Sequence, residues 1–227
     1  MPVTRERIVA VALELLDEAG LDGLTLRRLA DRLGIRAPTL YWHVRNKREL
    51  LDLLAAAILD GALARWREPQ PGQPWWEWLA ARARVMRTEL LAHRDSALVV
   101  SGNRPTSSSL PGIERQLRAL ADAGFTPADG LLALLTLNAY VLGDVLDIQA
   151  EDGRPAPAAS DADPPGAAAG AGDAPPGAGA FPLLRAATGS LSSPDERFEY
   201  GLEVLIDGLR ARLAERVRTR QGTVSGG

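Results

Sequence analysis

Between Thr25 and Arg48 the chain places seven basic residues, Arg27, Arg28, Arg32, Arg36, Arg45, Lys47 and Arg48, against one acid, Asp31. The whole chain carries a formal charge of −3. A local cationic excess inside an acidic protein suits phosphate, which it neutralises while displacing condensed counterions. The plainer alternative is a solvated helix face, and charge alone does not separate the two. The run Tyr41, Trp42, His43 does more. Three consecutive rings cannot all face one core, so at least one is left for contact. Lys47 adds a smaller hint as the single lysine among 26 basic residues. A compact ammonium serves a different geometry from a planar guanidinium.

Two short helices must present these groups. Leu26, Leu29, Ala30 and Leu33 recur at helical spacing and give the first helix one apolar face. Gly34 suits the left-handed residue that ends a helix. A second helix can begin near Arg36 and Ala37, with Pro38 in its first turn, where no N–H partner is lost. Helix, glycine-containing turn, helix is the pattern of a DNA-binding helix-turn-helix. Thr25 can cap the first helix or hold a phosphate. Asn46 and Glu49 form an Asn-x-x-Glu capping pattern for the next helix. Lys47 and Arg48 then fall in its first turn, where cations oppose the helix dipole at a cost of a few tenths of a kcal/mol. A phosphate on the same backbone N–H groups would favour them.

Other chemistries find little support. There are no cysteines, so no disulfide, thiolate metal site or thiol nucleophile. The two histidines, His43 and His93, lack paired metal-ligand spacing. Asp144 and Asp147 lie one helical turn apart, where a solvated or interface edge is the simpler account than a carboxylate pair for acid–base work. No metal site and no cofactor are expected, and an enzyme is the disfavoured class. The first twenty residues carry Glu6, Glu14 and Asp17 and no signal-peptide pattern. The longest uncharged apolar run, residues 130–143, is short of the roughly 20 residues that span a bilayer. A cytoplasmic protein without membrane contact is the expectation.

The rest of the chain reads as helices. Residues 4–19 form the first, capped by Thr4 and ended by Gly20. The helix from Asn46 to about Trp66 links the basic module to the C-terminal two thirds of the chain. EPQPGQP (68–74) is a turn. Helices are expected over 75–92, 110–124, 127–148 and 193–217, with a short, easily frayed one within 93–102. The 127–148 helix is apolar nearly all round, so it must be buried all round, and a partner subunit is a natural cover. Gly201 and Gly208 allow close helix approach. Residues 151–180 are Pro-, Ala-, Gly- and Asp-rich and are expected to be a disordered linker. No strand pattern occurs. The fold class is therefore all-α. Residues 1–46 are a three-helix DNA-binding domain, 47–66 a connecting helix, 67–217 a larger ligand-binding and dimerisation domain, and 218–227 a flexible tail.

The run LTLRRLADRLGIRAPTLYWHVRNKRELLD closely resembles the tetracycline-repressor (TetR) family. TLYWHVRNK is similar to the subgroup named for the tetracycline repressor itself. HRDSALVVSGNRPT, IERQL and LGDVLDIQ continue the likeness in the right order. The resemblance implies a homodimer on a palindromic double-stranded operator, released by a small-molecule effector. It implies a recognition helix over residues 36–44. Tyr41, His43 and Lys47 would hold phosphates, which positions a protein without reading sequence. Arg27, Arg36, Ala37, Pro38 and Thr39 would read bases. Arg36 and Ala37 depart from the acidic and amide residues of the tetracycline repressor, so a different operator is expected.

The effector pocket departs further. The family's magnesium–tetracycline ligands, two histidines and a glutamate from the partner subunit, correspond to Val100, Ala139 and Asp147. Only Asp147 could ligate, and one carboxylate does not make a metal site. A drug-binding histidine corresponds to about Leu63 and a drug-binding asparagine to Arg82. Asn103, Arg104, Pro105 and Gln116 are kept. The expectation is a metal-free pocket lined by Met86, Val100, Asn103, Ile113, Gln116, Leu117, Leu131, Leu134 and Asn138, with Arg82 near its rim. It would take a largely apolar effector with a few polar groups. The competing reading is a DNA-binding regulator with a vestigial pocket, or an activator.

Overall fold

The computed structural model describes residues 3–102, 109–152, 182–183 and 193–224, and among them the regular structure is entirely helical. We number the helices α1 (Arg5–Gly23), α2 (Leu26–Leu33), α3 (Ala37–Tyr41), α4 (Lys47–Arg65), α5 (Trp75–Leu91), α6 (Ser96–Val100), α7 (Leu110–Asp122), α8 (Pro127–Asp152) and α9 (Pro194–Val224). Residues 151 and 152 of the expected linker belong to α8, and its remainder lies outside the described residues.

Local signals set most boundaries. The Thr4 side chain accepts from the Arg7 N–H and starts α1. Gly20 interrupts α1 with φ +68° and ψ −179°. Thr25 accepts from the Arg28 N–H, so its oxygen serves as a helix cap. Gly34 closes α2 in the left-handed conformation, and Ile35 N–H reaches back to the Ala30 carbonyl. Asn46 caps α4 through the Glu49 N–H, and the Glu49 carboxylate reaches back to the Arg45 N–H.

α1 to α3 and the start of α4 share a small core of Ile8, Leu15, Leu16, Leu24, Leu29, Leu40, Val44 and Leu50. α4 leaves this module and packs on α5 and α6. α5 and α8 form the centre of the larger domain, with α7 and α9 alongside α8. A Cβ at Gly130 would make ordinary contact with Leu117 and Leu120 at 3.5 Å, so the approach of α7 to α8 does not demand glycine there. Gly201 does let α9 close on α8. A Cβ there would overlap the Tyr140 hydroxyl, which donates to the Phe198 carbonyl while the two rings stack. Gly208 meets nothing among the described residues of this chain.

Three expectations change. α6 is short but well held rather than easily frayed: Ser96, Ala97, Val99 and Val100 are buried. Gln149 of α8 clamps it, donating to the His93 carbonyl at 2.8 Å and accepting from the Ala97 N–H at 3.3 Å. α9 continues to Val224, past the expected end near 217. α8 continues to Asp152, and its Pro127–Glu151 stretch, with mean hydropathy 1.7, is long and apolar enough by length and composition to cross a membrane. Only 28% of its most apolar window is buried within this chain. Counting the uncharged run alone understated it, because helix length includes the flanking polar turns.

Candidate nucleic-acid interface and ligand cavity

The exposed surface of the basic module, its basic face, includes Arg27, Arg36, Ala37, Pro38, Thr39, Tyr41 and Lys47, and Trp42 is 88% exposed. His43 is half-buried. The helix of this face ends at Tyr41, shorter than the expected 36–44. Trp42 and His43 form a turn closed by His43 and Val44 N–H groups on the Leu40 carbonyl. Leu40 and Val44 face the core, so the intervening residues turn outward.

Not every base on this stretch is available. Arg32 pairs with Glu18, and Arg28 donates to the Gly23 carbonyl at 2.8 Å. Arg48 reaches away from the face, to Asp52 at 3.3 Å and the Gly102 carbonyl at 3.1 Å. Lys47 donates to the Leu21 carbonyl at 2.9 Å, which uses one of its three protons. The hydroxyl proton of Thr25 is likewise unused by its cap. Arg27, Arg36, Arg45 and Lys47 thus stand exposed, while Arg28, Arg32 and Arg48, equally exposed, are engaged within the chain.

The module is fastened to the larger domain by the HRDS stretch. The Asp17 carboxylate meets His93 Nδ1 at 3.0 Å and accepts from the Arg94 N–H at 3.0 Å. The Asp95 carboxylate accepts from the Leu21 N–H at 2.7 Å. Asp95 itself holds φ +55°. The sequence likeness included these residues but gave them no role; nothing in their types foretold contacts across more than 70 positions. His93 is thus a joint residue, and Asp144 is engaged in an ion pair with Arg87 at 2.6 Å.

A cavity of about 350 Å3 opens beside α4. α4 lines it with Asp52, Ala55, Ala56, Leu59, Ala62 and Leu63, followed by Trp66. Of the expected pocket residues, Arg82, Met86, Val100, Ile113, Gln116 and Asn138 line it. Leu117, Leu131 and Leu134 do not, and Asp147, matched to a ligand that the family takes from the partner subunit, is not part of this chain's own cavity. Leu117 packs against Gly130, Leu134 is in the core, and Leu131 and Asp147 are exposed. The cause is helix register. α8 turns Leu134, Leu137, Val141 and Val145 into the core, and Leu135, Asn138, Ala139 and Leu142 into the cavity. Asn103, Arg104 and Pro105 lie outside the described residues. Trp66 and the α4 alanines escaped sequence reasoning because an alanine face carries no signal of its own.

Arg82 belongs to the interior of this cavity rather than its rim. Its Nε donates to Gln116 Oε1 at 2.5 Å and its Nη2 to Asn138 Oδ1 at 3.0 Å. Gln116 is 3% exposed and anchors its own amide on the Gly112 carbonyl. Burial pushes the guanidinium down to about 10, still protonated at neutral pH. Val100 and Ala139, at two of the positions where the resemblance places metal ligands, line the cavity as apolar side chains. Among the described residues no cluster of three or more His, Cys, Asp and Glu groups could hold a metal.

A larger groove, about 620 Å3, lies between α8 and α9 on the opposite flank. It is bordered by Leu132, Leu137, Val204, Leu205, Gly208 and Leu209. Leu132 is 61% and Val204 56% exposed. The groove is an open surface rather than an enclosed site, with Asp129, Arg212, Glu215 and Arg216 beside its exposed apolar side chains.

Residues 8–54 match the family described as bacterial regulatory proteins, tetR family, and residues 68–213 match the tetracyclin repressor-like C-terminal domain. The class A tetracycline repressor from transposon 1721 of Escherichia coli is 42% identical over 207 residues, 90% of this chain and 89% of that protein. The class A repressor solved with 5a,6-anhydrotetracycline and magnesium superimposes with a TM-score of 0.66 at 35% identity, covering 90% of this chain and 96% of that one. The Streptomyces coelicolor protein ActR, solved with actinorhodin, gives a TM-score of 0.75 at 31% identity, covering 94% and 99%.

Proposed function

The chain belongs to the tetR family of bacterial regulatory proteins, and from that premise we propose that it is a cytoplasmic repressor which binds a palindromic operator as a homodimer and leaves it when a small amphipathic effector enters the cavity. One observation carries this reading. α4 begins at Lys47, on the exposed basic face, and its later turns form a wall of the cavity. A ligand that fills the cavity in one α4 position better than in another shifts the population of recognition-face spacings. Two recognition elements must sit about 34 Å apart to enter successive major grooves, so a modest tilt of α4 releases the DNA. The α8–α9 groove supports the homodimer. Leu132 and Val204 are covered if two copies pack these helices as a four-helix bundle.

The effector we propose is not a magnesium–tetracycline complex. Val100 and Ala139 offer no donor, which leaves Asp147 as the one possible ligand, and one carboxylate does not make a metal site. The solved relatives bind unlike molecules, anhydrotetracycline with magnesium in one and actinorhodin in the other, so family membership leaves the effector open.

The test is a mobility-shift titration on the DNA upstream of its own gene, with and without candidate effectors. Saturable retardation that a metal-free effector relieves is the expected result. No retardation by any promoter fragment would sink the repressor. Retardation that no compound relieves would mean a vestigial pocket, and relief only by tetracycline with magnesium would overturn the metal-free effector.

A further inference from the structure

The three arginines of α5 differ in what neutralises them. Arg84 meets the Glu199 carboxylate at 2.8 Å, and Arg87 meets Asp144 at 2.6 Å and Asp195 at 2.7 Å. Arg82 meets neutral amides, those of Gln116 and Asn138. Among the described residues no carboxylate counters its charge, and burial alone governs its proton affinity. Its Nη1 is sealed from solvent without a hydrogen-bond acceptor, as is Arg87 Nη2, but Arg87 has two carboxylates on its other nitrogens and Arg82 has none among the described residues. A buried guanidinium without an anion is costly, and an unmade hydrogen bond adds to the cost. Trp66, on the same cavity, repeats the pattern: its indole N–H is buried without a partner. Among the described residues that line this cavity, no buried side-chain acceptor is orphaned, so what is missing here is an acceptor.

We infer that the effector is an amphipathic acid, an apolar ring system with a carboxylate that Arg82 takes through Nη1 and that Trp66 reaches with its indole N–H. The remaining wall, with Leu59, Leu63, Val100, Leu135 and Leu142, takes the apolar body. Gln116 and Asn138 fix the guanidinium plane before the ligand arrives, so little side-chain freedom is lost on binding. A charge-assisted bond in a water-poor site discriminates strongly against the neutral analogue. This inference deepens the proposed effector site and rests on that reading of the cavity.

Anthraquinone-2-carboxylate and its methyl ester are the probes, followed at pH 7.5 by quenching of tryptophan fluorescence in the full chain. The acid should bind at least tenfold more tightly than the ester. Arg82→Met should bring the two within twofold, and Arg82→Lys should keep a preference for the acid. Circular dichroism melts of both variants establish that they fold. Equal binding of acid and ester to the unaltered chain overturns the inference, as does a preference that survives in Arg82→Met, or quenching by neither probe. Operator retardation is scored separately. Retardation without acid preference leaves the repressor standing and removes this inference; acid preference without retardation does the reverse.

Discussion

Asp95 stands where a side chain on Gly20 would have to be. Its Oδ2 lies 2.7 Å from the position of a Cβ added to Gly20, and it accepts the N–H of the next residue, Leu21. The kink of α1 is thus both the end of the DNA-binding module's first helix and its seat on the larger domain. A local rule and a long-range contact meet at one residue.

Gly20→Ala should therefore be costly. The backbone has φ +68° with ψ near 180°, a region essentially closed to other residues, and the new methyl would displace Asp95. Combined strain and the lost Asp95–Leu21 bond should remove about 2–4 kcal/mol. Urea unfolding read by circular dichroism measures it. A midpoint unchanged from the parent would show that the seat is not formed.

On the DNA face, base readers and phosphate holders should separate cleanly. Arg36→Ala should cost about 1–3 kcal/mol on the preferred operator and flatten preference at one base pair. Lys47→Gln should weaken binding to all sequences alike and lower the slope of log K against log salt by about one. Trp42→Ala should weaken operator binding while changing stability by less than about 0.5 kcal/mol, because a side chain 88% exposed supports no core. Fluorescence anisotropy over a salt series reads all three.

Much of this face was legible in the sequence, and the reason is local. Thr25, Gly34, Pro38 and Asn46 act within a few residues of themselves, so their types announce the caps and turns they make. The cavity was legible in part. Met86, Val100, Ile113, Gln116 and Asn138 fell into place through the resemblance, but α8 has leucines on every side, and periodicity cannot say which stripe meets α4. Leu131 and Leu134 were expected where Leu135 and Leu142 stand. Arg82 was expected near the rim; the two amides that hold it inside come from α7 and α8, 34 and 56 positions away. The Asp17–His93 and Asp95–Leu21 contacts are of the same distant kind.

Arg87 and Arg82 should respond differently to the same change. Arg87→Met strands Asp144, which is only 14% exposed, beside a low-dielectric wall, and removes the guanidinium from over the Phe198 ring. Breaking a buried pair from one side costs about 3–5 kcal/mol. Arg82→Met also frees the Gln116 oxygen, a loss of about 1–3 kcal/mol, but it relieves an uncompensated buried charge that offsets much of it. Without effector, the Arg82 variant should lose far less stability than the Arg87 variant. Equal losses in thermal melts would contradict the contrast between the two sites.

The Arg84–Glu199 pair sets a pH dependence. Its hydrogen bonds from Arg84, chiefly, hold the Glu199 carboxyl below the usual carboxylate range. A carboxyl depressed in the folded state adds stability above its unfolded pKa and loses it as pH falls through the folded value. The stability difference between the parent and Glu199→Gln should be constant above about pH 5 and shrink below it. The effect is small, since both side chains are more than 40% exposed and solvent screens them. Urea midpoints from about pH 3 to pH 7 test the sign; a difference that grows as pH falls would contradict it.

The α8–α9 groove makes the last prediction. Leu132 on α8 and Val204 on α9 flank the same groove and are largely exposed within their own chain. A charge at either should leave the fold of one chain intact, as surface changes usually do. In a self-complementary interface each substitution appears twice, so Leu132→Glu places two carboxylates in one apolar seam. Burying them unpaired costs several kcal/mol, enough to dissociate a dimer of ordinary strength. Sedimentation equilibrium should then show a folded monomer for Leu132→Glu and Val204→Glu, against a dimer for the parent. Both variants should lose operator affinity by at least two orders of magnitude although every residue of the basic face is unchanged, because a single recognition element holds only one half-site. A variant that stays dimeric, or a monomer that keeps full affinity, would place the subunit contact elsewhere on the molecule.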